Sequence, residues 1–308
     1  MVTRFTIVVN PAAGGGRAAG HLEAVRTVLD AAGAHYLTCL SSDLGHAGAL
    51  AAEAAARGDL VVAVGGDGLT STVAGAVAGA KPAGDGVFAV IPAGRGNDLA
   101  RTQGIPFGAT DAARLLLDGQ PRPMDLMALT GADGTQVTVA GSVYLGIPSV
   151  AGEIANDIRW IRGPMVYRVA ASRALASWKP ALFTVDGMSS ASTAVAPPRE
   201  FSGYGVVVAN LPYFGAGMQV APGADPGDGM LDLVLMRHAP KLTFLRVLNR
   251  IKAGSHVRLD QVTTGRATAL TVACDRSLPV GADGELLRMP LPLRIRVLPG
   301  ALNVIAPS

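Results

Sequence analysis

The stretch Leu60-Val-Val-Ala-Val-Gly-Gly-Asp-Gly68 runs from an apolar segment directly into a glycine-rich turn, and Thr70–Gly79 follows with helical spacing of its apolar residues. A continuous apolar run of this kind is typical of a strand buried on both faces of a parallel sheet. Similar strand-like and helix-like stretches alternate in the same part of the chain: Phe5–Val9, Arg17–Ala32, His35–Leu40, His46–Arg57, Val87–Ile91 and a helix from Asp98 onward. The alternation predicts an α/β fold, with residues 1–122 forming a doubly wound domain.

The pattern changes near Pro121–Asp125, after which β-like runs dominate. The predicted strands are Leu126–Leu129, Gln136–Val143, Ala181–Val185, Tyr204–Asn210, Leu231–Met236, Leu270–Ala273 and Leu293–Val297, and the predicted helices are Gly163–Trp178 and Lys241–Ala253. Ser189–Glu200 is rich in Ser, Ala and Pro and is predicted to be an exposed loop. We therefore expect a second, mainly β domain over residues 123–292.

Composition excludes several classes of protein. Of the 308 residues, 49% are hydrophobic and 16% are charged, which excludes intrinsic disorder as the main state. A net charge of +3 with only 5% aromatic residues gives no indication of nucleic-acid binding. Two widely separated cysteines and the lack of an apolar run long enough to span a membrane indicate a cytoplasmic protein, with any membrane contact peripheral.

Three glycine-rich turns follow predicted strands of the α/β half: Asn10–Arg17, Gly65–Gly68 and the turn that ends in Gly94-Arg-Gly-Asn-Asp98. Parallel strands bring their carboxyl ends to one edge of a sheet, where ligands bind. Bare backbone N–H groups at such turns bind phosphate. Each turn alone fits a plain tight turn, but their coincidence predicts a nucleotide site, where Asp67 can hold Mg²⁺ through water.

A fourth turn, Asp283-Gly-Glu285, lies in the β half. It is either the tip of a hairpin or the position of a general base, because a carboxylate beside a hydroxyl can accept its proton.

Five motifs follow one another along the chain in this order: Asn10-Pro11, Gly65–Gly68, Pro92–Asp98, Asp228-Gly-Met-Leu-Asp232 and Asp283–Glu285. Together they resemble the diacylglycerol kinase catalytic family, especially its soluble bacterial lipid kinases, with sphingosine kinases as relatives. The resemblance spans nearly the whole chain. It implies a nucleotide-binding α/β domain, a β-sandwich domain for the lipid substrate, an active site in the cleft between them, and a C-terminal segment, 293–308, that returns to the first domain.

The same resemblance implies ATP and Mg²⁺ as cofactors and assigns residues to them. It implies nucleotide contacts at Asn10, Pro11, Ala12, Ala13, Gly14, Ser41, Gly65, Gly66, Asp67, Gly68, Leu69, Thr70, Ser71 and Arg95. It implies a structural Mg²⁺ on Asp228 and the backbone carbonyls of Asp225 and Met230. The catalytic base is Glu285 or Asp283, with Glu285 favoured, and Asp67 completes the catalytic set.

The chain departs from the family pattern at three places. Arg95 stands where Thr is common, Ser71-Thr72 replaces Asn-Glu, and Gly146-Ile-Pro-Ser149 lacks the acid of bacterial members. The expected function is an ATP-dependent lipid kinase of phospholipid metabolism, with diacylglycerol the foremost substrate. An enzyme like NAD kinase and a non-catalytic nucleotide- or lipid-binding regulator are the alternatives, and a homodimer stays open.

The segment Lys241–Arg258 contains six basic residues and no acidic one. Leu242, Leu245, Leu248 and Ile251 recur at helical spacing. A basic amphipathic helix of this kind lies on an anionic membrane or packs its leucines into the β domain, and the two can coexist.

Overall fold

A computed structural model describes residues 4–11, 16–81, 85–158, 165–188, 200–215 and 217–308. The α/β half holds a parallel sheet in the order β2–β1–β3–β4, with β1 Arg4–Val9, β2 His35–Leu40, β3 Leu60–Gly65 and β4 Val87–Pro92. The helices are α1 Arg17–Ala31, α2 Leu44–Ala56, α3 Asp67–Ala80, α4 Asp98–Thr102 and α5 Ala109–Asp118. The expected α/β architecture is confirmed; helix α5 was not predicted.

The helices cover the sheet as two pairs, α1 with α5 and α2 with α3. Right-handed crossovers place these pairs on opposite faces. The face of α2 that is buried consists entirely of alanines: Ala47, Ala51, Ala54 and Ala55. A Cβ at Gly48 would lie 3.3 Å from the Thr72 methyl group, so small residues allow α2 to pack closely on α3.

The second half is mainly antiparallel β structure, as expected. Its elements are β6 Gln136–Val139, β7 Ser142–Gly146, α6 Ile147–Asp157, α7 Met165–Ser177, β8 Ala181–Met188, β9 Glu200–Ala209, β10 Tyr213–Phe214, β11 Met218–Gln219, β12 Leu231–Arg237, α8 Lys241–Ile251, a short 3-10 helix Ser255–Arg258, β13 Val262–Ala267, β14 Ala269–Cys274, β15 Val280–Ala282 and β16 Glu285–Leu287. Strand β9 is central, because it pairs with β7, β8 and β12. Helix α6 was not predicted, and residues 189–199 of the expected loop lie outside the described residues.

Two long strands, β5 Gln120–Thr130 and β17 Leu293–Ala306, join the halves. They pair antiparallel along most of their length, and the end of β17 pairs in parallel with β4 at Asn303 and Val304. Leu126 belongs to the core of the α/β half and Met127 to that of the β half. The first limit expected from the sequence, 122/123, thus falls inside β5, and the second, 292/293, coincides with the start of β17.

None of the helices in the described part of the chain is long and apolar enough to cross a bilayer.

The hairpin of β15 and β16, which carries Asp283 and Glu285, depends on a glycine in β15. A Cβ at Gly281 would lie 1.9 Å from Cε2 of Tyr144, a buried ring on the neighbouring strand. Such overlap cannot be relieved by a small side-chain movement, because Tyr144 is itself packed on Phe214 with ring centroids 4.5 Å apart.

We expect Gly281→Ala to lower the free energy of unfolding by about 1–3 kcal/mol, the usual cost of overpacking a core. The matched control is Gly20→Ala in α1, where a Cβ meets no atom within 4 Å and alanine favours the helix by up to about 1 kcal/mol. Urea denaturation of both variants measures the difference. Equal stability of the two variants would contradict the packing argument.

Candidate active site

Two glycine turns of the α/β half touch each other at the carboxyl edge of the sheet. A Cβ at Gly94 would lie 2.4 Å from Cα of Gly66, and the Ala93 N–H donates to the Gly65 carbonyl oxygen at 2.8 Å. Only glycine tolerates this approach of two backbones. The turns after β3 and β4 therefore form one continuous backbone surface at this edge of the sheet.

Asp67 holds the two turns together. Its carboxylate accepts the N–H of Asp98 at 2.6 Å and the N–H of Asn97 at 3.0 Å. Asn97 has a positive φ of 51°, and its side chain closes the turn on the N–H of Gly94 at 2.9 Å. Burial raises the pKa of Asp67, opposed by these hydrogen bonds. Asp67 thus orders the start of α4, and it lies in the first turn of α3 rather than in a loop.

Asp283 is held in a cradle of backbone N–H groups. Its carboxylate accepts from Ala140 at 2.9 Å, from Gly141 at 3.0 Å and from Ser142 at 2.7 Å. The hydroxyl of Ser71 also bonds to it, and burial raises the pKa of Asp283 against these hydrogen bonds. Because Ser71 belongs to α3, this carboxylate ties the β hairpin to the α/β half.

Glu285 belongs to the β half, and its side chain lies against the α/β half. It is exposed, and its Oε1 lies 2.9 Å from the position that a Cβ at Gly68 would take. Gly68 is in the first turn of α3. The structure therefore brings Glu285 of the β half against the glycine turn of the α/β half. Glu285 and Gly68 lie 217 positions apart in the chain.

Asp98 is a candidate that the sequence interpretation left as a helix-starting residue. It is half-buried, and burial together with the charges of Asp67 and Asp283 raises the pKa of Asp98 to about 7. Its Oδ1 accepts the N–H of Gly217 at 3.2 Å, and Arg101 opposes the shift. In the sequence, the position of Asp98 after Asn97 in a glycine turn was the signal that could have marked it as a site residue. That it lies close to the carboxyl groups of Asp67 and Asp283 appears only in the tertiary structure.

The other expected nucleotide contacts differ in accessibility. Asn10 is partly exposed and Pro11 is exposed after β1, while Ala12, Ala13 and Gly14 lie outside the described residues. Ser41, Leu69, Thr70 and Ser71 are buried. The Ser41 hydroxyl bonds to the Val9 carbonyl oxygen at 3.3 Å, and the Leu69 side chain packs against Gly65.

Two arginines flank the glycine turns on their outer side. Arg95 is exposed, as a phosphate-binding side chain requires. Arg17 was not predicted, although it is exposed at the start of α1 and its Nη2 donates to the Gly94 carbonyl oxygen at 3.2 Å. It bridges the first and third turns.

A cavity of about 460 Å³ lies beside α4. Its lining includes Arg101, Arg122, Tyr213 and the turn 224–227, so cationic groups and a polar ring border it.

The residues expected to hold a structural Mg²⁺ do not fit that ion. Asp228 Oδ1 accepts the N–H of Met230 at 2.9 Å, and Asp228 Oδ2 is paired with the guanidinium of Arg266. The carbonyl oxygen of Asp225 faces the N–H of Asp228 at 3.4 Å. A cation on Asp228 would meet an existing positive charge. The described residues also contain no cluster of three His, Cys, Asp or Glu side chains that could hold a metal.

The raised pKa of Asp98 makes stability depend on pH. A carboxyl group whose folded-state pKa is about 7, against 3.8 as its ordinary value, favours the folded state below pH 4, and this contribution is lost as the pH rises through 7. The wild type loses this contribution and Asp98→Asn does not. We therefore expect the free energy of unfolding of Asp98→Asn, relative to that of the wild type, to rise by about 2 kcal/mol from pH 5 to pH 8. Urea denaturation at both pH values measures this gain. The control is Asp118→Asn at an exposed site, and a gain as small as the control's would contradict the burial of an ionisable Asp98.

Comparison with known proteins agrees with this geometry. Residues 4–129 match the model of the diacylglycerol kinase catalytic domain, and residues 141–306 match that of the YegS C-terminal NAD kinase beta sandwich-like domain. The gap between the matches lies across the end of β5 and β6.

Relatives match over most of their length. The chain is 31% identical to a diacylglycerol kinase of Mycobacterium tuberculosis, over 99% of this chain and 96% of the relative. It is 29% identical to a Stenotrophomonas maltophilia protein named "Probable lipid kinase YegS-like", over 81% of this chain and 79% of the relative.

A solved structure has the same fold. The crystal structure of a diacylglycerol kinase from Bacillus anthracis aligns with a TM-score of 0.70 at 20% identity, over 98% of this chain and 96% of that one. With the two family matches, which cover both halves of the fold and both sides of the cleft, the chain belongs to the diacylglycerol kinase family of lipid kinases, in the group with a YegS-type C-terminal domain.

Proposed function

We propose that the protein is an ATP-dependent lipid kinase that transfers the γ-phosphoryl group to a lipid hydroxyl, with diacylglycerol as the acceptor. The observation that carries the proposal is the position of Glu285, an exposed carboxylate of the β half that lies against Gly68 of the nucleotide half. A base at this point can reach an acceptor held by one lobe and a phosphate held by the other. The relatives named as diacylglycerol kinases support the choice of acceptor.

Phosphoryl transfer depends on positioning and on neutralisation of phosphate charge. The first turn of α3 presents backbone N–H groups at a helix N-terminus, which bind phosphate oxygens. Arg17 and Arg95 add positive charge at the outer side of the same turns.

Two carboxylates of the nucleotide half suit the magnesium ion that accompanies ATP. Asp67 and Asp98 are half-buried and close enough for Asp67 to raise the pKa of Asp98, so their combined charge would favour the cation that accompanies the phosphates. When bound, Mg²⁺ neutralises the β- and γ-phosphate oxygens.

Glu285 is the general base in this proposal. As the lipid oxygen forms its bond to the γ-phosphorus, the bond from that phosphorus to the oxygen bridging to the β-phosphate breaks, and ADP leaves. The hydroxyl proton passes to Glu285. Asp283 is a positioning residue, because its carboxylate is occupied by the N–H groups of residues 140–142 and holds the hairpin in place.

We expect Glu285→Gln to lower kcat by about 10² or more, the usual contribution of a general base, with an unchanged Tm because the side chain is exposed. Asp283→Asn is the matched variant: its amide NH₂ would face backbone N–H donors, so we expect a lower Tm together with lower activity. Kinase assays and thermal unfolding of both variants measure these effects. An active Glu285→Gln beside an inactive Asp283→Asn of normal Tm would exchange the two roles.

An assay with a panel of substrates distinguishes this function from the two alternatives. Diacylglycerol, sphingosine, other lipid alcohols and NAD⁺ are supplied with ATP, and ADP release is measured for each. Turnover with NAD⁺ alone would favour an enzyme like NAD kinase, and nucleotide binding without turnover would favour a regulator. We expect turnover with diacylglycerol.

We further propose peripheral contact with anionic membrane through α8. The helix buries Phe244, Val247 and Ile251, whereas Leu242 is 80% exposed and Leu245 is 39% exposed. The single leucine stripe expected from the sequence is thus divided, because residues 244, 247 and 251 lie about 140–200° around the helix from residue 242. One face of the helix packs into the β half and the other presents leucines to the surface, which leaves that face accessible for the proposed membrane contact.

Charge on the outer face supports a lipid surface as its partner. Arg246 and Arg250 are exposed beside Leu242 and Leu245, and α8 contains no acidic residue. Apolar side chains inserted at the interface and basic groups near anionic headgroups bind additively, at about 1 kcal/mol per basic group.

We expect Arg246→Glu with Arg250→Glu to weaken binding to phosphatidylglycerol-containing vesicles at least tenfold, by the loss of about 2 kcal/mol of attraction. Activity on vesicle-borne diacylglycerol should fall, while activity on dispersed short-chain diacylglycerol should not change. The control is Arg294→Glu with Arg296→Glu, two exposed arginines of β17 that alter net charge equally. Equal vesicle binding by the α8 variant and the control would exclude α8 as the docking surface.

A further inference from the structure

Acidic side chains gather at the turn that precedes β12. Asp225 and Asp228 belong to the turn, Asp232 to β12, and Asp125 to β5 beneath it. Among the described residues, the cation within ion-pair distance of Asp228 and Asp232 is Arg266. Arg266 lies on β13 directly opposite Asp232 in the antiparallel pair.

We propose that the guanidinium of Arg266 is the resident cation of this turn and takes the place of the structural Mg²⁺ that the family resemblance implies. Its Nη2 contacts Asp228 Oδ2, and its Nε lies 3.4 Å from Asp232 Oδ2. One planar group thus bridges the turn and the strand that follows it, a geometry for which arginine is suited.

The coordination chemistry argues against a divalent ion at the same carboxylate. Mg²⁺ requires near-octahedral oxygen ligands at about 2.1 Å and keeps several waters. Asp228 has one oxygen bonded to the Met230 N–H and the other to Arg266, so an ion would have to displace the guanidinium or bind against its charge.

The opposite side of the turn is held by protein groups as well. Asp125 is buried, and its two oxygens accept the N–H groups of Gly229 and Gly300, each at 2.7 Å. Its own N–H donates to the Pro226 carbonyl oxygen at 2.6 Å. With Asp125 on one side and Arg266 on the other, protein groups alone hold the turn in its conformation.

The first test uses metal-stripped wild-type protein without nucleotide. Thermal unfolding is compared in EDTA and in millimolar Mg²⁺, and we expect the two Tm values to agree within about 1 °C, below the ~2–4 °C by which one stabilising interaction typically shifts the Tm. A saturable rise of the wild-type Tm with Mg²⁺ would overturn the proposal.

The second test changes the cation itself. We expect Arg266→Met to lower the Tm in EDTA by several degrees, and Mg²⁺ to restore part of that loss, because the acids would then lack their cation. Arg266→Lys should keep most of the wild-type Tm, and Arg294→Met serves as the control at an exposed strand arginine. A wild-type Tm for Arg266→Met would overturn the proposal. If that variant does not fold, Arg266→Lys and the wild-type titration decide. None of these readouts uses kinase activity, so they are independent of the proposed function.

Discussion

The antiparallel pairing of β5 with β17 is the constraint on which the rest of the structure depends. Both strands run through the cores of the two halves, so the halves share one sheet rather than a flexible linker. This joint fixes the distance between the hairpin tip and the first turn of α3. Without it, Glu285 would have no defined position relative to Gly68, and the proposed base could not meet the proposed phosphate site.

The cleft concentrates carboxyl groups and satisfies them with backbone N–H groups. Asp67 accepts from the start of α4, and Asp283 accepts from residues 140–142. Burying a carboxylate is costly unless such donors compensate it. Asp98 has a weaker set of donors than its two neighbours and carries the raised pKa of about 7. The same cluster that orders the turns therefore gathers acidic groups in one place, which is why we proposed that a cation binds there together with the nucleotide.

Two groups of charged residues outside the cleft differ in whether their charges are neutralised within the protein. At the turn before β12, the charges of Asp228 and Asp232 are matched inside the protein by Arg266. On α8, Arg246 and Arg250 have no acidic neighbours along the helix and stand beside exposed leucines. Charges that are matched internally stabilise the fold, whereas charges left at the surface beside apolar groups are available to an anionic partner.

The sequence alone determined the alternation of strands and helices in the first half, the change to β structure and the glycine turns after β3 and β4, because these depend on local periodicity and backbone freedom. Helices α5 and α6 escaped prediction; α6 begins at the Gly146-Ile-Pro-Ser149 segment, which was interpreted only as a departure from a motif. The tertiary structure decided which carboxylates meet and what each one bonds to. Asp98 and Arg266 acquire their roles from partners far away in the chain, such as Asp283 and Asp228, and no local pattern records such a contact. Ser71 shows the same limit: its neighbours suggest a phosphate turn, but packing places it against Asp283, because the pairing of distant strands brings the hairpin there.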